Sequence, residues 1–293
     1  MSAVTAEISL RPGGRLRRRR IVNRVMESIG TAAALLAVAV LGLVVVSVAV
    51  RAAPAISWHF LTTPPALFGA PGGISSAIVG SALIVAMATG MALPVAVLGA
   101  VYLTELAHRR VAAAIQLCLD VLNGMPTIVT GIFVYGLLVI GHVQSAYAGA
   151  FALAIVMLPL IARATQEVLL LVPQTLREAG LALGVSRWRT TLGVILPTTL
   201  GGILTGTVIA VARAAGETAP LLFTCSIFNP AVSTDVRHAL PNIPVLIFTY
   251  SEQPDKALHE QAWAAALVLM GFVLVASLAA RGLLARNRRK LER

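Results

Sequence analysis

The sequence predicts an all-α, polytopic membrane protein with about six transmembrane helices. Three observations carry that prediction. Hydrophobic residues make up 58% of the 293 and charged residues only 12%, a balance that soluble domains of this length do not show. The apolar residues gather into long runs separated by polar or Pro/Gly-rich segments, and a bilayer core of about 30 Å needs about 20 of them in helix. The runs lack the alternating apolar/polar pattern of a membrane barrel, so the backbone must satisfy itself helically.

Six stretches qualify: Ile29–Val50, Ile78–Leu103, Val121–Ile140, Tyr147–Ile161, Thr198–Leu222 and Ala262–Leu283. The fourth is short unless it continues through Arg163. A secretory signal peptide is the rival reading of the first stretch, since basic residues precede it and Ala53-Pro54-Ala55 loosely resembles a cleavage site. Its 22 uncharged residues exceed the roughly 7–15 of a signal core and suit a span. The chain then divides into a basic N-terminal segment (1–28), the first span (29–50), an outer loop (51–77), a helical core (78–283) that includes a polar loop at 165–197, and a basic tail (284–293).

The formal charge of +11 raises nucleic acid as a partner, so its placement decides. Seven arginines lie between Arg11 and Arg24, and six basic residues between Arg281 and Arg293. Neither cluster interleaves with aromatics, so both read as membrane anchors and no nucleic acid is expected. With the N-terminus in the cytoplasm, nineteen of the 23 basic residues fall on the inner side, only Arg51, Arg237 and Lys256 fall outside, and Arg213 lies within a span. Both termini are therefore expected to be cytoplasmic. The outer loops at 52–76 and 223–261 are rich in proline, with Trp58, Phe60, Tyr250 and Trp263 suited to the interface.

Enzyme chemistry finds no footing. The only lysines are Lys256 and Lys290, neither in a P-loop, and His59, His108, His142, His238 and His259 are scattered. Cys118 and Cys225 form no metal-ligand spacing. No catalytic residue, metal or cofactor is expected in this chain.

Two polar segments remain to be explained. Between the fourth and fifth stretches, Arg177-Glu178-Ala179-Gly180-Leu181-Ala182-Leu183 is followed by Gly184, which predicts a short helix, a turn, and a second segment through Trp188 to Leu196. Such a helix inserts into a partner's groove and passes on its motion, or lies on the bilayer with Arg187, Trp188 and Arg189 as anchors. In the fifth stretch, Arg213 sits about 22 Å from Thr198 along a helix, with Glu217 four residues on. An arginine at a span's centre costs roughly 2.5–3.5 kcal/mol, so it faces a bundle interior or a watery path. Either Glu217 satisfies it, or its fork is kept for a tetrahedral oxyanion. Helix breakers Pro94 and Pro126 lie within the second and third stretches, with Asn123, Thr127 and Thr130 near the freed carbonyls. Gly202, Gly206, Ala210 and Ala214 recur every four residues, a smooth stripe for close helix packing.

Glu178-Ala179-Gly180, Gly184, Val194 and Leu196-Pro197 resemble the loop by which ABC importer permeases grip their ATPases. Gly180 departs from the family's second alanine and Val194 from its isoleucine, while the spacing is kept. With Leu122–Gly131 (LNGMPTIVTG), Leu158–Glu167 (LPLIARATQE) and Arg213–Thr224 (RAAGETAPLLFT), the chain from Gly72 to Trp263 resembles the PstA-type permeases of phosphate-specific ABC importers. The resemblance implies a type I importer (MetI-like) fold and an inner-membrane permease for inorganic phosphate. It implies that Arg213, Glu217, Thr218 and Arg163 serve translocation, although an arginine near a span's end, like Arg163, also serves as a lipid anchor. Arg163 and Glu167 repeat the spacing of Arg213 and Glu217. The implied partners are a second homologous permease (PstC-like), two ATPase subunits (PstB-like) that hold ATP and Mg, and an extracytoplasmic phosphate-binding protein. Sulfate or molybdate as cargo, and a non-transporting scaffold for phosphate signalling, are the alternatives.

Overall fold

The computed structural model describes residues 14–66, 72–227 and 231–291. Among them the secondary structure is entirely helical, and the chain divides into two units, Met1–Val50 and Arg51–Arg293. Helix α1 (Gly14–Ala52) supplies the first unit, and its apolar side chains are almost all exposed, as a lipid-facing span requires. The second unit runs α2 (Trp58–Thr62), α3 (Ser75–Val101), α4 (Arg109–Gly124), α5 (Thr127–Val134) and α6 (Ala146–Leu170). After these come α7 (Gln174–Ala182), α8 (Arg187–Thr190), α9 (Leu196–Ala214), α10 (Ala219–Thr224), α11 (Ile243–Ser251) and α12 (Lys256–Leu291). Five helical segments are long and apolar enough to cross a membrane, and α4 with α5 makes a sixth if the bent pair counts as one span.

The core is built from small residues. Ala88, Ala92, Ala96 and Ala100 recur every four residues on α3, all at most 1% exposed, and α3 packs along α6 through Leu153, Met157 and Ile161. The glycine stripe on α9 does what its spacing predicts. A Cβ on Gly202 would lie 2.6 Å from Val168 Cγ1, one on Gly206 would collide with Ala164, and Ala210 and Ala214 are buried. Because rising numbers on α9 meet falling numbers on α6, the two helices are antiparallel.

The second unit has two distinct ends. At one, Ala100 and Val101 of α3, Leu169 of α6 and Ile195 before α9 form a buried cluster. At the other, the Ser145 and Ala146 amides donate to the Thr224 and His238 carbonyls (3.2 and 2.9 Å), and Ser81 Oγ accepts from the Ile243 amide at 2.9 Å. Phe60, Ile74, Ile243, Leu246 and Tyr250 form a satellite core there with Ala262, Ala264 and Ala265.

Several expected boundaries move. The third stretch, Val121–Ile140, is not one straight helix: α4 stops at Gly124, Met125 and Pro126 are extended, and α5 leaves at 98°. Proline disfavours the helical conformation of the residue before it, so Pro126 splits the run rather than kinking it. The fourth stretch is longer than its apolar part, with α6 reaching Leu170. Arg163 is therefore well inside a helix and the polar loop starts after Leu170, not at 165. The fifth stretch is shorter. Helix α9 ends at Ala214, so Arg213 stands at its C-terminal end rather than inside a helix that runs on to Leu222, and Glu217 lies in the turn before α10. Tyr250, expected at the interface, is only 4% exposed. Trp263 packs under Arg51, whose guanidinium carbon lies 4.9 Å from the ring centroid, while Trp58 stays 80% exposed. Parts of the basic ends, 1–13 and 292–293, lie outside the described residues.

Candidate functional site: a polar elbow and two arginines

The polar loop folds as α7, a turn and α8. Gly184 has φ +74°, a left-handed conformation that favours glycine, and it closes α7 with two hydrogen bonds. The Gly184 amide donates to the Leu181 carbonyl at 3.0 Å and the Val185 amide to the Gly180 carbonyl at 3.1 Å, a Schellman closure. Gly180 has a packing reason. A Cβ there would lie 2.5 Å from both Thr190 Cγ2 and Thr190 Oγ1, and Thr190 is buried. Glu178 and Ala179 sit on the same short helix, which buries none of its side chains in this chain.

Beyond α8, Thr191–Ile195 forms a π-helical turn that leads into α9 at Leu196-Pro197. Proline has no amide to offer, and Pro197 follows closely on the widened turn. Thr198 Oγ1 donates to the Ile195 carbonyl at 2.7 Å, and Thr199 Oγ1 to the Leu196 carbonyl at 2.9 Å. Arg187–Ala214 thereby reads as one continuous apolar helix joined to the elbow without a hinge loop.

An ion pair that sequence reasoning missed fixes the elbow to the bundle. Arg177 Nε donates to both Glu105 oxygens at 3.1 Å, and Nη2 donates to Oε1 at 2.8 Å. The remaining donors reach the Val172 and Leu169 carbonyls at 2.6 and 2.8 Å. The Glu105 side chain is 8% exposed and sits in the π-helical turn Tyr102–Leu106 that extends α3.

The two arginines do not share one site. Arg213 is 58% exposed, and its Nε lies 4.0 Å from Glu217 Oε1, the limit of an ion pair and too long for a hydrogen bond. Glu217 thus does not satisfy it. Thr218 caps α10 through its backbone, its carbonyl accepting from the Leu222 amide at 3.0 Å. Helix α10 in turn packs closely on α5, where a Cβ on Gly131 would lie 2.8 Å from Pro220 Cα. Arg163 lies on α6 beside Ala164, which faces Gly206. Arg213 is seven residues beyond Gly206, so the two arginines stand about 10 Å apart along the antiparallel helices.

Arg163 does not pair with Glu167, which is exposed. Its Nη2 meets Asp120 Oδ1 of α4, and its Nε, shielded from solvent, makes no hydrogen bond within the described residues. Gln166 Nε2, one turn on, is shielded and unpartnered in the same way. Composition flagged the arginines, but an aspartate in an amphipathic helix gives no signal of the helix it will face.

Residues 92–289 match the family model described as "Binding-protein-dependent transport system inner membrane component". The chain is 39% identical to the "Phosphate transport system permease protein PstA" of Yersinia pestis over 78% of this chain and 77% of that protein. Its likeness to the protein of the same name from Xylella fastidiosa (strain Temecula1) is 36% over 93% and 96%. The chain belongs to the PstA permease family. Among solved structures, an inward-facing "MetNI methionine ABC transporter" matches with TM-score 0.55 at 19% identity, covering 73% of this chain and 97% of that one. At that identity it speaks for the fold alone, which is the MetI-like permease fold expected above. Membership makes this a multi-pass transport permease. The elbow around Glu178–Pro197 lies within the matched family region, as do Arg163, Arg213, Glu217 and Thr218.

Proposed function

We propose that this chain is a membrane-spanning permease subunit of an ATP-driven importer that carries inorganic phosphate into the cell by alternating access. The observation that carries the proposal is the likeness to a PstA phosphate permease along nearly the whole of both chains. The exposed guanidinium of Arg213, which Glu217 approaches only to 4.0 Å, supports it, because a planar fork suits a tetrahedral oxyanion.

In this reading both termini and the elbow face the cytoplasm. Two ATPase subunits there hold ATP and Mg and close on Glu178–Gly184. A second homologous permease completes the pore, and an external phosphate-binding protein delivers the substrate. Helix α7 is tied to α3 by Arg177 and Glu105, and α8 runs into α9, so a push on the elbow reaches the helices that carry Arg163 and Arg213. Phosphate passes Arg213, with Glu217 and Thr218 in the adjoining turn, and Arg163 nearer the elbow. Arginine stays charged throughout, so passage needs no proton step at these side chains.

The test is ATP-dependent uptake of radiolabelled phosphate by proteoliposomes holding the full complex, with sulfate and molybdate in competition. Phosphate uptake that neither competitor suppresses is expected. Sulfate or molybdate uptake without phosphate uptake would overturn the cargo, and a complex that imports none of the three would leave only a scaffold.

A further inference from the structure

The pairing of Arg163 with Asp120 joins α6 to α4. Asp120 lies one turn before the end of α4, six residues ahead of Pro126, where the chain bends by 98°. Both side chains are open, 42% and 43% exposed, so the pair contributes little net stability and is poorly suited to serve as a structural clamp. The closest approach is between Nη2 and Oδ1, and Gln116 Nε2 reaches the same oxygen at 3.4 Å. A carboxylate docked on the side of the fork would also take Nε, yet Nε is shielded and without an acceptor among the described residues. Arg163 therefore holds the carboxylate while retaining an unused donor at Nε.

A phosphate oxygen pair docked side-on would use Nη2 and Nε together, where Asp120 leaves Nε without an acceptor. We propose that Asp120 is a resident carboxylate that phosphate displaces from Arg163, and that its return drives phosphate off the arginine. No bond is made or broken; one oxyanion replaces another on the same donors. Because Asp120 belongs to the bent α4–α5 pair, the bend sets when the carboxylate can reach back across to α6. The inference rests on the reading of Arg163 as a residue of the phosphate route.

The test is a phosphorus-NMR titration of inorganic phosphate against the detergent-solubilised complex without binding protein, comparing wild type, Asp120→Asn, Asp120→Glu and Arg163→Gln. Removing the competitor makes Asp120→Asn bind phosphate about ten-fold tighter, within the range of coupling between contacting groups, while Asp120→Glu stays near wild type. In the Arg163→Gln background, Asp120→Asn produces no further tightening. An Asp120→Asn titration that superimposes on wild type, whether both bind or neither does, overturns the inference. So does equal tightening with and without Arg163, since that would be charge removal alone. Co-purification of all subunits checks that each variant assembles. A wild-type complex that fails to import phosphate sinks the functional reading instead, and that failure is seen in the uptake assay rather than in the difference between variants.

Discussion

Arg177 grips Glu105 across 72 residues of sequence with the Nε–Nη2 edge of its fork, and directs its other donors to the Leu169 and Val172 carbonyls, in and just past the last turn of α6. One side chain thus joins the elbow helix α7, the extension of α3 and the last turn of α6. The three elements meet where Ala100, Val101, Leu169 and Ile195 are packed, so the elbow is a rigid continuation of the bundle end.

Cutting that grip should separate hydrolysis from transport. Arg177→Ala leaves the nearly buried Glu105 carboxylate uncompensated, a loss of about 3–5 kcal/mol for a buried pair with one partner removed. Glu105→Gln keeps one acceptor and costs less. The measurement is phosphate imported per ATP hydrolysed by the reconstituted complex. The ratio is expected to fall for Glu105→Gln while the complex still co-purifies, and an unchanged ratio would show that motion reaches the bundle by another route.

Gly180 and Thr190 should behave as one unit. Gly180→Ala drives a methyl into the Thr190 side chain, and overpacking of this kind costs about 1–3 kcal/mol. Thr190→Ala removes both offending atoms, so the double variant should recover most of the loss in a thermal-unfolding comparison. Simple addition of the two single effects would contradict the contact.

Arg213→Gln should lower phosphate uptake at least about ten-fold with assembly intact, since a hydrogen bond to a charged group contributes about 1.5–3 kcal/mol. Arg213→Lys keeps the charge but not the fork and should fall between the two. Kinetics of ATP-dependent uptake check this, and wild-type rates in Arg213→Gln would remove the residue from the route.

Cys225 should be silent. Burial pushes its thiol up to about 11, and its sulfur is enclosed between the Leu240 amide and carbonyl. The reactive thiolate is therefore scarce from neutral pH to about pH 9. In a Cys118→Ser background, maleimide labelling of the folded protein should be absent across that range and appear only after unfolding. Labelling of the folded form would mean that the α10–α11 region opens.

Much of this was legible because membranes impose a coarse rule. Apolar runs of span length marked the helices, and the four-residue repeat from Gly202 to Ala214 marked a close helix contact, whose partner in the structure is α6. The matching alanine stripe from Ala88 to Ala100 is just as regular, but alanine in an apolar run stands out less than glycine. Hydropathy could not place helix ends. Apolar character stops at Ile161 while α6 continues to Leu170, because packing against α3 and α9 carries polar residues such as the buried Thr165. It continues to Leu222 while α9 stops at Ala214, because the chain turns inside an apolar setting and restarts as α10. The elbow's turn was visible in Gly184. Its latch was not, since nothing local to Glu105 or Arg177 reveals a partner 72 residues away.

The whole account turns on which side of the membrane the elbow faces. Leu183, 82% exposed at the tip of α7, is the place to ask. In a cysteine-free background, Leu183→Cys should react with an impermeant maleimide in inside-out vesicles and stay unlabelled in intact cells. Labelling from the outside of intact cells would contradict the account, because no cytoplasmic ATPase could then touch the elbow.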